Sequence, residues 1–152
     1  MIIKSHEINK INQSKNKIIL FYGANNGLKK EKISEVINLN KEKTLFNYEE
    51  KEILDKPEII FNNIFSKSLF DENKIIIIKR TTDKILKIIE TINETEIKDI
   101  SIIINSDNLE KKSKLRSFFE KSKNLLCIPC YPDNEQTLMK LAYSFFNQKK
   151  IN

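Results

Sequence analysis

The chain has 152 residues, of which 39% are hydrophobic and 32% are charged. This composition is typical of a folded globular domain and excludes a wholly disordered or fibrous chain. The net charge of +6 permits contact with nucleic acid, but lysines alternate with acidic residues along the whole chain, which favours a generally basic surface. The absence of a long apolar run and of a signal-peptide core predicts a cytoplasmic protein without membrane contact.

Apolar runs of strand length alternate with helical patterns along the chain. The predicted strands are Lys17–Tyr22, Thr44–Tyr48, Lys74–Lys79, Ile100–Ile104 and Leu125–Ile128. The unbroken isoleucine runs are typical of strands covered on both faces. Regular alternation of strands and helices predicts an α/β fold with a parallel five-stranded sheet flanked by helices.

Helical patterns occupy the segments between these strands. The first extends from Leu28 to Leu39, and a second begins near Pro57 with Ile60, Ile64 and Phe65 on its inner face. We expect Asp83 to cap a third helix. A fourth is predicted over Ser113–Lys121. The last begins at Glu135 behind a cap at Asp133 or Asn134, and one side of it carries Leu138, Leu141, Ala142, Phe145 and Phe146.

The turn after the first strand is placed where a phosphate-binding loop of the pattern GxxxxGK[ST] would lie. Alignment on Gly23 puts Leu28 at the second glycine, with Gly27 one position early. Lys29 matches the lysine that meets the phosphates, but Lys30 replaces the hydroxyl residue that holds Mg²⁺. We therefore interpret Gly23, Gly27 and Lys29 as a degenerate phosphate loop and do not expect it to support hydrolysis.

The strand Ile100–Ile104 gives a second test of ATPase chemistry. An active enzyme ends such a strand in an acidic residue, whereas this one continues as Asn105-Ser106, with Asp107 two positions later. Together with the loop, this loss indicates a degenerate ATPase fold without catalytic residues.

Ser68-Leu69-Phe70 connects a helix to the strand that begins near Lys74. Large apolar residues on a connection usually fold back into the core. The alternative is that they project as an anchor for a hydrophobic pocket on a partner. The residues alone leave both open.

The two cysteines form the motif Cys127-Ile128-Pro129-Cys130, and His6 is the single histidine. A CxxC can be a redox pair or half of a zinc site, but no second pair exists and His6 is distant in sequence. We expect two thiols at the end of a strand, a surface histidine, and neither metal nor cofactor.

Three segments together resemble delta subunits of the bacterial DNA polymerase III clamp loader. They are Lys17–Gly23 with Asn25 and Gly27-Leu28, then Ser68-Leu69-Phe70 before Lys74–Ile78, then Ile102–Leu109 with Lys112–Leu115, and Tyr131-Pro132 fits as well. The resemblance implies an AAA+-like domain that has lost ATP binding. It also implies that Ser68, Leu69 and Phe70 bind the beta sliding clamp and favour opening of one ring interface during DNA replication.

The resemblance also implies a domain organisation. Residues 1–132 would form the clamp-binding domain, and residues 133–152 the first helix of a second, lid-like domain. Delta subunits are about twice as long, so we expect a fragment without the C-terminal collar domain. In the full-length protein the partners would be the gamma/tau and delta prime subunits, within a DNA-directed DNA polymerase (nucleotidyltransferase) holoenzyme, with DNA contacted through the assembled loader. A small P-loop nucleotide-binding enzyme and a basic nucleic-acid-binding α/β module stay open as alternatives.

Overall fold

A parallel sheet forms the centre of the molecule. The computed structural model describes residues 1–39, 43–66 and 73–149. Within them, five strands pair in the order β2-β3-β4-β1-β5. Their bounds are β1 Ile18–Tyr22, β2 Lys43–Glu49, β3 Asn73–Thr81, β4 Ile100–Ser106 and β5 Leu126–Pro129. All pairings between these strands are parallel, which confirms the predicted α/β fold.

Helices cover both faces of this sheet. They are α1 Asn26–Asn38, α2 Glu50–Asp55, α3 Glu58–Phe65, α4 Leu86–Glu94, α5 Lys114–Lys121 and α6 Glu135–Lys149, with 3₁₀ segments at Ser5–Lys10 and Asp83–Ile85. The sequence analysis missed α2, because its six residues are too few to show an apolar period. No helix in the described ranges is long and apolar enough to cross a membrane.

The strands divide their side chains between two cores. One face packs against α1 and the Ser5–Lys10 segment through residues such as Phe21, Ile33, Ile77 and Ile103. The other face packs against α2 to α5. Its buried side chains include Leu20, Ile53, Ile60, Ile78, Ile89, Ile102, Leu115 and Phe119. Since successive strand residues point to opposite faces, the isoleucine runs fill both cores, as predicted.

Phe65 was predicted to face inward, and this prediction is wrong. Its side chain is 59% exposed, and its ring stacks on that of Phe61 with centroids 6.3 Å apart. The helix α3 ends at Phe65, so the apolar period of Ile60 and Ile64 was extended one residue too far.

Asp83 caps a different helix from the one predicted. Thr82 caps the 3₁₀ segment Asp83–Ile85, which leads into α4. The Asp83 carboxylate instead accepts hydrogen bonds from the Ser113 hydroxyl at 2.5 Å and from the N–H groups of Lys114 and Leu115 at 3.0 Å. Asp83 and Ser113 therefore hold the start of α5 against the segment that follows β3.

The last helix, α6, has the predicted cap at its start, but its apolar side is not packed against the described residues. Asn134 Oδ1 accepts from the Thr137 N–H at 2.9 Å. None of the residues of α6 is buried. Its large apolar side chains are 47% to 64% exposed, and they are Leu138, Met139, Leu141, Tyr143, Phe145 and Phe146. The apolar side of α6 thus lacks a partner within the described residues.

Candidate functional site

Gly23 directly follows β1 at the carboxyl edge of the sheet, where the chain that leaves β5 passes very close. Its φ is +125°, and a Cβ at this position would lie 2.1 Å from the carbonyl oxygen of Cys130. The Cys130 N–H donates to the Tyr22 carbonyl at 2.7 Å, and the Cys130 carbonyl accepts from the Asn25 N–H at 3.1 Å. The close approach of β5 therefore accounts for glycine at position 23 without any bound ligand.

The side chain of Asn25 determines where α1 begins. Its Oδ1 accepts from the Leu28 N–H at 3.1 Å, as expected of an N-cap residue. Its Nδ2 donates to the Tyr131 carbonyl at 3.2 Å and to the Asp133 carboxylate at 3.1 Å. The side-chain amide of Asn25 thus caps α1 and also holds the segment that leaves β5 against the start of this helix.

The backbone N–H groups of this loop are largely used within the protein. Gly23 donates to the Asp107 carbonyl at 3.0 Å, and Asn26 donates to the Ala24 carbonyl at 3.0 Å. With the Asn25 and Leu28 bonds above, four backbone donors of the loop and first helical turn, at positions 23, 25, 26 and 28, have protein acceptors. A phosphate cradle needs such N–H groups to converge on the ligand, so this loop is closed by its own hydrogen bonds.

Lys29 is buried and bound to the end of β4. Its ammonium donates to the Ser106 carbonyl at 2.7 Å and lies 3.7 Å from Asp107 Oδ1. The Ser106 hydroxyl in turn shares a short, buried hydrogen bond with that of Thr81 at the end of β3. The residue that matches the phosphate-binding lysine therefore stabilises the carboxyl edge of the sheet.

The three predicted loop residues have different structural roles. Gly23 and Lys29 are brought together at the carboxyl edge, whereas Gly27 lies inside α1, where a Cβ would meet nothing closer than Asn25 Oδ1 at 3.8 Å. Lys30 is exposed on α1 and offers an ammonium where Mg²⁺ needs an oxygen ligand. The residues present therefore do not fit a Mg²⁺-nucleotide complex.

Ser68, Leu69 and Phe70 lie outside the described residues. The flanking residues are connected, because the Lys74 ammonium donates to the carbonyl of Asn63 at 3.1 Å and to the carbonyl and hydroxyl of Ser66 at 2.9 Å. This lysine ties the end of α3 to the start of β3, so both ends of the connection are anchored.

The CxxC motif forms two buried thiols. Cys127 lies in β5 and Cys130 just after it, and both are free. Burial raises the pKa of Cys127 to about 12 and that of Cys130 to about 11. Thiols that stay protonated are poor nucleophiles and metal ligands, which agrees with the structural role expected for them. The expected surface position of His6 is also confirmed.

The sequence analysis missed the groups that close the loop. Asn25 carries a recognisable signal, because an asparagine directly before a helical pattern is a typical N-cap. No sequence pattern predicts the Thr81–Ser106 hydrogen bond or the acceptor of Lys29, since both contacts depend on which strands are neighbours in the sheet.

Comparison with solved structures shows a strong structural likeness. No family model matches the chain, and no curated protein matches it in sequence. Among solved structures, the Bacillus subtilis DNA clamp loader delta protein (YqeN) matches with a TM-score of 0.71 and 12% sequence identity. The match covers 95% of this chain and 48% of that chain, so this chain spans about half of its neighbour. The chain therefore shares its α/β fold with a clamp loader delta protein.

Proposed function

We propose that this chain is the clamp-binding part of a delta subunit of the bacterial DNA polymerase III clamp loader. The observation that carries the proposal is an AAA+-like fold, shared with a clamp loader delta protein, whose phosphate loop is closed by its own hydrogen bonds. Such a module binds a partner instead of hydrolysing ATP. It binds the beta sliding clamp and opens one ring interface, and ATP bound to other loader subunits supplies the energy.

Ser68, Leu69 and Phe70 form the proposed clamp contact, with Leu69 and Phe70 entering a hydrophobic pocket of the clamp. The anchoring of both ends of this connection by Lys74 supports the proposal, because a short tether lowers the entropy lost on binding. Full burial of two large apolar side chains contributes about 1.5–3 kcal/mol each. With surrounding contacts, this is consistent with a dissociation constant of about 1 μM.

The proposed domain organisation places residues 1–132 in the clamp-binding domain and residues 133–152 in the start of a lid-like domain. The uncovered apolar side of α6 supports this division, since such a helix is expected to pack against further chain. In the complete protein the collar domain would contact the gamma/tau and delta prime subunits. DNA would be contacted through the assembled loader.

Calorimetric titration with the sliding clamp of the same organism tests this proposal. We expect binding at micromolar concentration for the wild-type chain and no measurable binding for Leu69→Ala/Phe70→Ala. The matched control is Leu138→Ala/Phe145→Ala, which removes an equally large pair that is 51% and 53% exposed on α6. Equal loss in both double variants, or no binding by the folded wild-type chain, would refute the proposed contact.

A further inference from the structure

Residues 130–134, which we call the strap, lead from β5 into α6. At the start of the strap, the Cys130 N–H donates to the Tyr22 carbonyl at 2.7 Å, and the Cys130 carbonyl accepts from the Asn25 N–H at 3.1 Å. The ring of Tyr131 packs edge to face with the buried ring of Tyr22, with centroids 6.2 Å apart, and the two hydroxyls share a hydrogen bond at 3.2 Å. Backbone and side chains therefore both hold the strap against the end of β1.

The second half of the strap is fixed by the loop and by the cap of α6. The Asn25 side-chain amide donates to the Tyr131 carbonyl at 3.2 Å and to the Asp133 carboxylate at 3.1 Å. Asn134 Oδ1 accepts from a backbone N–H in the first turn of α6 at 2.9 Å. Between these contacts, the ring of Pro132 confines its backbone φ to a narrow range. Each residue of the strap is therefore restrained.

Helix α6 has little support apart from the strap. None of its residues is buried, and its large apolar side chains are at least 47% exposed. Since the helix gains little from packing on the described residues, its direction depends on the chain that precedes it. An exposed connection of this kind usually lets the elements on either side move independently. The restraints on the strap remove that freedom.

We propose that the strap holds α6 in one direction relative to the sheet without any bound ligand. The side chain of Asn25 is the central group, because its oxygen caps α1 while its nitrogen bonds two residues of the strap. A rotation of α6 about the strap has to break these two bonds or the contact between Tyr22 and Tyr131. This arrangement does not depend on clamp binding, and any further domain that begins with α6 starts in a fixed direction.

Asn25→Asp separates this contact from the cap of α1. Aspartate caps helices as well as asparagine does, but it lacks the donating nitrogen and places a second carboxylate beside Asp133. The matched control is Asn26→Asp, which adds the same charge at the next residue, where the side chain is exposed. The pair Asn25→Asp/Asp133→Asn exchanges donor and acceptor and should restore the contact.

Residual dipolar couplings of the backbone N–H groups, measured by NMR in a weakly aligning medium, report the direction of α6. In the wild-type chain, one alignment tensor should fit the sheet and α6 together. In Asn25→Asp, motion of α6 should reduce its couplings by about a third or more, while those of the sheet stay unchanged and show that the domain is folded. Asn26→Asp should behave as wild type, and the exchanged pair should regain most of the lost coupling.

Three results would overturn the proposal. A wild-type α6 that needs an alignment tensor of its own would show that the helix moves although the strap is intact. Equal couplings in Asn25→Asp and Asn26→Asp would show that the Asn25 amide does not hold the helix. A loss in Asn25→Asp that Asp133→Asn does not repair would exclude the contact between these two side chains as its cause.

Discussion

The loop after β1 and the helix α6 differ in whether their groups find partners within the described residues. In the loop, backbone N–H groups and the buried ammonium of Lys29 have acceptors inside the protein. In α6, none of the residues is buried, and the apolar side faces solvent. The hydrogen bonds of the loop therefore close a possible ligand site, whereas the apolar side of α6 is uncovered by the described part of the chain.

Among the variants of the loop and its surroundings, Gly23→Ala should have the largest effect on stability, because it adds a side chain at the most tightly packed point of the loop. A Cβ would lie 2.1 Å from the Cys130 carbonyl oxygen, in a backbone conformation that L side chains rarely adopt. We expect the free energy of unfolding to fall by about 3 kcal/mol, measured by urea unfolding.

Gly27→Ala is the control for that variant. The added Cβ would make only an ordinary van der Waals contact, 3.8 Å from Asn25 Oδ1, so we expect a gain of about 0.5 kcal/mol from the smaller entropy of the unfolded chain. Similar losses in both glycine variants would contradict the view that β5 packing, and not a phosphate cradle, requires the first glycine.

Lys29→Met tests whether the buried lysine is structural. The variant leaves the Ser106 carbonyl without its donor, so we expect the free energy of unfolding to fall by about 2 kcal/mol. The control Lys30→Met changes the neighbouring exposed lysine and should alter stability by less than about 0.5 kcal/mol. A Lys29 variant of unchanged stability that lost ATP affinity would support an active phosphate loop instead.

Asp83→Ala should have a smaller effect, which depends on pH. Burial alone would raise the pKa of this carboxyl, but hydrogen bonds from Ser113, Leu115 and Lys114 outweigh it and hold the pKa below its ordinary value. A lowered pKa stabilises the folded chain above the unfolded value of about 3.9, and this contribution is lost as pH falls through the folded pKa.

Loss of this cap should cost about 1 kcal/mol at neutral pH. The difference from wild type should shrink toward pH ~3 in urea unfolding curves. Asp55→Ala removes an exposed carboxylate without a cap and should show neither effect. A penalty for Asp83→Ala that stays constant with pH would contradict the cap.

Leu141→Ser should have the smallest effect, because its side chain is 62% exposed on α6. We expect a change in unfolding free energy below about 0.5 kcal/mol. The fully buried Leu115 gives the contrast, since Leu115→Ser should destabilise the chain by about 3 kcal/mol or more. A large loss for Leu141→Ser would show that α6 packs on the domain.

The fold could be predicted largely from apolar periodicity, whereas the contacts at the site could not. Isoleucine runs such as Lys74–Lys79 indicated buried parallel strands, and β3 confirms that prediction. Periodicity alone does not say which strand ends are neighbours, so the Lys29–Ser106 and Asp83–Ser113 contacts were beyond its reach. Gly23 had a clear motif signal, but its structural cause, the approach of Cys130, appears only in three dimensions.

The central proposal is that this α/β domain acts on a sliding clamp without using ATP. The most direct measurement places a self-quenching dye pair across one interface of the sliding clamp and follows fluorescence as the chain is added. The account predicts a rise without nucleotide, no further change with ATP and Mg²⁺, and no rise with Leu69→Ala/Phe70→Ala. An opening signal that requires ATP, or that persists in the double variant, would contradict it.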